Sequence, residues 1–363
     1  MQNKLHGNIL LDGSFAEAEI EFSDRILSIT RLGPANLALP EIIPGFIDLH
    51  VHGGGGADVM ENGDAAKTVA LTHARFGTTS FLATTMTAPY SDLEKSFQAM
   101  KNNFSKRPAK GARLLGVHLE GPFISAQKLG AQPDFVRAGT LDEIEKLHAI
   151  VPIKTVTIAP EIFNHLEIIK ELISRYIMVQ IGHTNGTYEE GVNALKLGAK
   201  SFTHLFNAMS GFHHREPGMV GAALAHADYA EIIPDLLHVH QGAIKAALRS
   251  IPNLYFVTDA TSATGMPDGD YKLGTHTVHK CLGGVRLKDG TLAGSALTMD
   301  QALRNLVCLG LSIAEASRRL SQIPAELIGV SDRGILKEKY FADILVLNKD
   351  LTLREVYIEG EKI

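Results

Sequence analysis

Apolar residues gather in runs of strand length along most of the chain, and the stretches between them carry a helical period. The first run, Ile42 and Ile43 with Phe46 and Ile47, is bounded by turn residues. Thr78–Thr85, Arg113–Gly121, Thr155–Pro160, Ile177–Thr184, Lys200–Ala208, Glu231–Val239 and Asn253–Thr261 follow, making eight. Ala65–Phe76, Ser91–Asn103, Leu141–Ala149, His165–Arg175, Tyr188–Leu197 and Gly242–Arg249 lie between them with amphipathic spacing, and Met299–Leu309 follows the eighth run. Alternating strands and helices imply an α/β fold with a parallel sheet. Eight units over this length fit a TIM-like (β/α)₈ barrel better than an open doubly wound sheet. No Gly-x-Gly-x-x-Gly opens a helix after the first strand, which argues against a dinucleotide site.

The two ends read differently. Asn8–Leu11, Ala18–Phe22 and Arg25–Ile29 are short strands near one end, and Ala342–Leu347 and Arg354–Ile358 near the other. Turn residues such as Asp12-Gly13 and Gly33-Pro34 punctuate them. Neither end has enough strands for an independent sheet. The expected organisation is a small β-sandwich domain from residues 1–43 together with 335–363, and a barrel over residues 44–334.

Composition narrows the function. The 363 residues are 45% hydrophobic and 21% charged, an ordinary globular balance. A net charge of −5 without any Lys/Arg run argues against nucleic acid as a partner. No window is apolar enough to span a membrane, and Met1–Gly7 lacks the apolar core of a signal peptide. Cys281 and Cys308 are the only cysteines, so no disulfide framework or thiolate metal site is expected and a reducing, cytoplasmic compartment is.

The candidate chemistry sits at strand ends. In such a barrel the C-terminal ends of the strands build the active site. Here they carry His50 and His52 (first), Glu120 (third), His183 (fifth), His204 (sixth), His238 (seventh) and Asp259 (eighth). His50 and His52, two apart on a strand, leave the same face, and Gly53–Gly56 let the backbone turn close behind them. Glu120, His183 and His204 offer one carboxylate and two imidazoles. That set suits Zn²⁺, or a similar divalent ion such as Fe²⁺, Mn²⁺, Co²⁺ or Ni²⁺, with a position left open for water. His50 and His52 could hold a second ion across the mouth, giving one or two per chain. The fourth strand ends Ile158-Ala159-Pro160 without a lysine, so a bridging carboxylated lysine is not expected and Glu120 could bridge instead. Asp259 beside an activated water can accept its proton and return it to a leaving group; the alternative is a further metal ligand. Arg215, in His213–Gly218 after the sixth strand, suits a phosphate or carboxylate, or else a loop ion pair. His6, His73, His148, His165, His226, His276 and His279 lie off the strand ends and read as surface or packing residues.

With these segments assembled, the chain resembles the amidohydrolase superfamily, and within it the deacetylases of N-acetylated amino-sugar phosphates. The segments are Pro44–Gly54, Gly116–Phe123, Gly182–Thr184, His204–Met209, His214–Gly218, Val257–Ala260 and Leu292–Ser295. The resemblance implies hydrolysis of N-acetylglucosamine 6-phosphate to glucosamine 6-phosphate and acetate. It implies that Glu120, His183 and His204 bind the main metal and that Asp259 is the acid/base. It further implies that Asn207, Ala208, Arg215 and His238 contact the sugar phosphate. Asp235, Leu236 and Leu237 with His238, and Leu292, Ala293 and Gly294, line the pocket on the same grounds. Homodimers whose loop arginine reaches the neighbouring site are the family habit. One departure stands out. The family commonly has Lys-Gly-Ala-His after the third strand, its His near the acetamide; here Gln132 follows Ala131 at that place. Glutamine can donate a hydrogen bond but cannot carry a proton charge. Gly265–Gly269 is similar to deacetylases of the galactosamine isomer, so N-acetylgalactosamine 6-phosphate stays open as the substrate. A ring amidase or deaminase of the superfamily, or an inactive scaffold, are the remaining readings; a complete ligand set argues against the scaffold.

Overall fold

Strand ends that share one rim are the feature of the fold that matters for function. A computed structural model of the protein describes residues 3–363; Met1 and Gln2, included in the expected β-domain of residues 1–43 and 335–363, lie outside the described residues. Phe46–Val51, Thr78–Thr84, Arg113–Glu120, Ile153–Ile158, Met178–Ile181 and Ser201–Phe202 form one parallel sheet in sequence order. Tyr229–Ile232 and Asn253–Phe256 form a parallel pair. Backbone hydrogen bonds join the two pieces on both sides: Leu205 N donates to Glu231 O at 2.8 Å, and Asp259 N to His50 O at 3.0 Å. Val51 and Ala260 add a parallel bridge. The sheet is therefore curled, and it fits a TIM-like unit. Most of its strands are buried along their whole length, as in Thr78–Thr84, which is why they read as unbroken apolar or β-branched runs rather than alternating ones.

Helices lie at every expected place: Ala65–Ala74, Tyr90–Ser105, Leu141–His148, His165–Ser174, Tyr188–Lys196, Gln241–Ser250 and Met299–Cys308. Three more were not anticipated: Gly218–His226, Ile313–Leu320 and Gln322–Leu327. Gly218–His226 is apolar nearly all round and buried over its first two turns, so it has no amphipathic stripe to read. Ile313–Leu320 did carry a start signal, since the Ser312 side chain accepts from Glu315 N. The sixth run is shorter than expected. Only Ser201–Phe202 is strand, because His204, Phe206 and Ala208 take positive φ of 27°, 84° and 50° and turn the chain away. Between Asn253–Phe256 and Met299, an unforeseen antiparallel sheet of Gly269–Leu273, His276–Cys281, Gly284–Arg286 and Leu292–Ser295 packs around Leu273, Val278, Val285 and Ala293.

Both ends of the chain do enter one sheet. Its order is Glu361–Lys362, Leu353–Ile358, Ile344–Leu347, Glu41–Pro44, Asn3–Leu11, Ser14–Phe22, Ile26–Pro34. It is continuous, yet it folds over itself. The rings of Phe22 and Tyr357 sit 5.2 Å apart although four strand spacings separate them, about 19 Å in a flat sheet. Ile344 and Val346 face that enclosed core, while Leu345 and Leu347 face the core of the main body. Period-two alternation thus buries both sides of one strand and couples the two cores.

Candidate active site

Hydrogen-bond geometry assigns the imidazole tautomers. A backbone carbonyl only accepts, so His183 Nδ1, 2.8 Å from Lys128 O, and His52 Nδ1, 2.9 Å from Thr84 O, carry the hydrogen. In the neutral rings, the form that binds a metal, their Nε2 atoms therefore present lone pairs to the mouth. His183 Nε2 lies 3.2 Å from Glu120 Oε1 and 3.1 Å from His204 Nε2. His52 Nε2 lies 3.3 Å from Glu120 Oε2, 3.2 Å from Asp259 Oδ1 and 3.1 Å from His50 Nε2. Lone pairs of imidazoles and carboxylates thus converge with no fixed donor among them, which is an arrangement suited to cations. The donor atoms of Glu120, His183 and His204 all lie within 4.8 Å of one another, and so do those of His50, His52 and Asp259. Glu120 turns one oxygen toward each group. Both triplets fit a divalent ion by donor type and number.

Proton affinities in the cluster follow the same logic. Burial acts to lower His50 and His52, but the Asp259 and Glu120 carboxylates outweigh it; His52 rises to about 9 and His50 goes well above its ordinary value. Burial acts to raise Glu120 and Asp259, yet the neighbouring imidazoles, His50 foremost, pull both below the usual carboxylate range. Positive charge is what the site favours, and a metal ion would replace protons in supplying it.

Backbone strain is found at three of the same residues. His183, His204 and Asp259 have φ of 47°, 27° and 51°, a left-handed region that costs a non-glycine residue roughly 1–3 kcal/mol. Each turn swings a side chain off its strand and into the mouth. Behind His52, a Cβ on Gly53 would stand 2.5 Å from Ser262 N, so only glycine lets the two loops pack there.

A cavity of about 250 Å³ opens above these groups. His52, Glu120, His183, His204 and Asp259 line it, together with Ala131, Gln132, Asn207, Ala208, His238, Leu292 and Gly294, all expected from the sequence. Met86, Gly130, Ile233, Leu273 and Thr291 also line it and were not anticipated. His50 is fully buried at the base of the cluster. Asp235 lies behind His238, accepting from its main-chain N–H at 2.9 Å and from ring Nδ1 at 2.7 Å. Ala293 is buried in the core of the inserted sheet, and Leu236 and Leu237 are exposed. Arg215 is exposed with Nη1 2.9 Å from His214 Nε2, and it does not line the cavity of its own chain. Arg215, Asp235, Leu236, Leu237 and Ala293, expected as pocket residues, are thus off this wall.

Sequence reasoning passed over Glu231 and His118. Glu231 is fully buried with Oε1 2.8 Å from His50 Nδ1, and His118 stacks edge-on at 4.6 Å from the same ring. The available signal was a lone acid inside the apolar run Tyr229-Ala230-Glu231-Ile232-Ile233, since a buried charge needs partners. His73, read as a packing residue, is buried and donates from Nε2 to Gly53 O at 2.8 Å.

Parallel strands curled around two His/carboxylate triplets define a hydrolase of the metal-dependent class on a TIM-like unit. The chain belongs to the Amidohydrolase family, whose model matches residues 42–363. It is 39% identical over 327 residues to the N-acetylglucosamine-6-phosphate deacetylase of Lysinibacillus sphaericus, covering 88% of this chain and 84% of that protein. It is 35% identical over 361 residues to the N-acetylgalactosamine-6-phosphate deacetylase of Escherichia coli O157:H7, covering 96% of each. Among solved structures, the N-acetylglucosamine-6-phosphate deacetylase of Pasteurella multocida matches with a TM-score of 0.92 at 28% identity over the whole of both chains. A variant of the Mycobacterium smegmatis enzyme, solved in complex with N-acetyl-D-glucosamine-6-phosphate, also matches at 0.92, with 30% identity over 99% of each chain. Among the described residues no helix is long and apolar enough to cross a membrane.

Proposed function

We propose that this protein hydrolyses N-acetylglucosamine 6-phosphate to glucosamine 6-phosphate and acetate, in amino-sugar catabolism. The observation that carries the reading is the convergence of Glu120, His183, His204 and Asp259 on one cavity, in a chain whose relatives bear the name of that reaction. Glu120, His183 and His204 would hold a divalent ion, with Zn²⁺ the best match to two imidazoles and a carboxylate. His50 and His52, with Asp259 close by, would hold a second when one is bound. An ion there supplies Lewis acidity, polarising the acetamide carbonyl and acidifying water.

The chain's own groups do the rest. Asp259, whose Oδ1 lies 3.2 Å from His52 Nε2 at the cavity wall, accepts the proton of the attacking water as an ionised carboxylate. The water oxygen adds to the acetamide carbon, and Asp259 then hands that proton to the nitrogen, so the C–N bond breaks after the C–O bond has formed, and acetate and the sugar's free amino group are released. His238, whose Nδ1 is tied to Asp235, keeps Nε2 for the substrate. Asn207 and Ala208 line the side toward the sugar phosphate, with Gln132 beside the acetamide. Arg215 completes the phosphate site from the neighbouring subunit of a homodimer, consistent with its exposed place outside its own cavity. The two ends of the chain form a small β-sandwich domain, residues 1–43 with 335–363, beside a (β/α)₈ barrel over 44–334, and the enzyme works in the cytoplasm.

A second reading changes only the epimer. The relative that acts on N-acetylgalactosamine 6-phosphate by name spans 96% of this chain. Acetate release on both sugar phosphates, with metal content measured on the same sample, separates the two. Faster turnover of the galacto epimer would replace the first reading, and metal-loaded protein inactive on both would sink the deacetylase assignment.

A further inference from the structure

Glu231 has no place at the cavity wall, yet it is tied to both triplets. Its Oε1 accepts from His50 Nδ1 at 2.8 Å and from the main-chain N–H of His204 at 3.0 Å. Its Oε2 lies 3.2 Å from the Tyr255 hydroxyl and 3.3 Å from Gln180 Nε2. The carboxylate is fully buried, and four groups from four parts of the barrel fix it.

We propose that Glu231 is a positioning residue that selects the metal-binding tautomer of His50, holding the ring hydrogen on Nδ1 so that Nε2 faces the mouth. The inference rests on the two triplets being metal sites, as read above. His50 is fully buried, and among the described residues Glu231 alone offers its Nδ1 an acceptor. Its Nε2 lies 3.4 Å from Asp259 Oδ1 and 3.5 Å from Glu120 Oε2. Without Glu231, the imidazole would place its hydrogen on Nε2, where these carboxylates accept it, and that nitrogen would no longer be a ligand. A carboxylate that receives the remote N–H of a ligating imidazole fixes both its tautomer and its orientation, and removing such partners commonly costs 10–100-fold in metal affinity. The bond to His204 N keeps the same oxygen stationary, since that residue is already locked in a left-handed turn.

Titrating the chelated, metal-free protein with Co²⁺, by calorimetry and visible absorption, tests this. Wild type should take up two equivalents. Glu231→Gln keeps the shape and drops the charge; it should bind one equivalent about 10–100-fold more weakly, with an altered Co²⁺ spectrum and an unchanged metal-free Tm. Unchanged uptake and spectrum in Glu231→Gln would overturn the proposal while leaving the metal reading intact. So would a fall in metal-free Tm with both equivalents weakened together, which marks a residue of the fold. Wild type binding no ion would sink the metal reading itself, and a single equivalent would remove His50 from the ligands and the proposal with it. A measurement on wild type alone gives an independent check. In the Zn²⁺-loaded protein the ¹⁵N shifts of the His50 ring should place its hydrogen on Nδ1, and a hydrogen on Nε2 overturns the assignment.

Discussion

Gln132 Nε2 donates to Glu120 Oε2 at 2.7 Å, while Thr87 N donates to Gln132 Oε1, also at 2.7 Å. Both ends of this amide are therefore committed to the protein, and an uncharged donor holds the oxygen that Glu120 turns toward His50 and His52. A hydrogen bond to a charged group contributes about 1.5–3 kcal/mol. Gln132→Leu should lower kcat/KM roughly 10–150-fold at full metal loading, and Gln132→His should recover part of that. Should Gln132→Leu lose less than about threefold at full loading, the carboxylate is held by its other partners and the amide is incidental.

Asp259 tests the proton path. Asp259→Asn preserves size and the hydrogen-bond acceptor but cannot take a proton. Turnover should fall about 10²–10⁴-fold, with at least one equivalent of metal retained. If the defect disappears on adding excess metal, Asp259 acts as a ligand rather than as the acid/base.

Arg215 tests the phosphate and the dimer together. Arg215→Ala should cost roughly 10–150-fold in kcat/KM on the 6-phosphate substrate and little on unphosphorylated N-acetylglucosamine. Arg215→Lys should recover only part, because a point charge lacks the planar fork. Mixing Arg215→Ala with Glu120→Ala subunits should restore activity if the arginine crosses the interface, since one site per heterodimer then has both residues. A mixture that stays inactive after demonstrated exchange would assign the arginine to its own chain.

His73 should make stability sensitive to mild acid. Burial lowers its value from 6.5 to about 4, against the small opposing effect of its bond to Gly53 O. The folded protein then holds fewer protons at this group than the unfolded chain between those values, so stability is full above 6.5 and falls as the pH drops toward 4. The slope from one such group approaches about 1.4 kcal/mol per pH unit. His73→Gln keeps a donor for Gly53 O without titrating, and it should flatten that part of the curve of Tm against pH. Parallel curves for the two proteins would mean other groups dominate.

The strands of the curled parallel sheet and most helices were legible because strands buried on both faces read as apolar runs and amphipathic helices read as a period. The triplets were legible because His50, His52, Glu120, His183, His204 and Asp259 each end such a run. Other features left a different signal or none. The inserted sheet at Gly269–Ser295 has half-exposed strands with little apolar content, so its Leu273 and Thr291 could not be foreseen on the cavity wall. Gly218–His226 hid because an apolar helix has no stripe. Glu231 hid because one acid within a strand does not say whom it meets; that depends on which barrel strand lies alongside.

In the shared sheet, Glu41–Pro44 lies between Asn3–Leu11 and Ile344–Leu347. One of its neighbours is thus made just before it and the other about 300 residues later. At about 5–20 residues per second, the intervening stretch of about 300 residues takes roughly 15–60 s to synthesise. During that interval Ile42 and Ile43, fully buried in the finished protein, belong to an open apolar edge on the nascent chain. Synthesis of Ile344–Leu347, rather than emergence of the parallel strands, is then the moment at which this sheet can first close, and a chain broken before Ile344 leaves a strand searching for a partner in its neighbours.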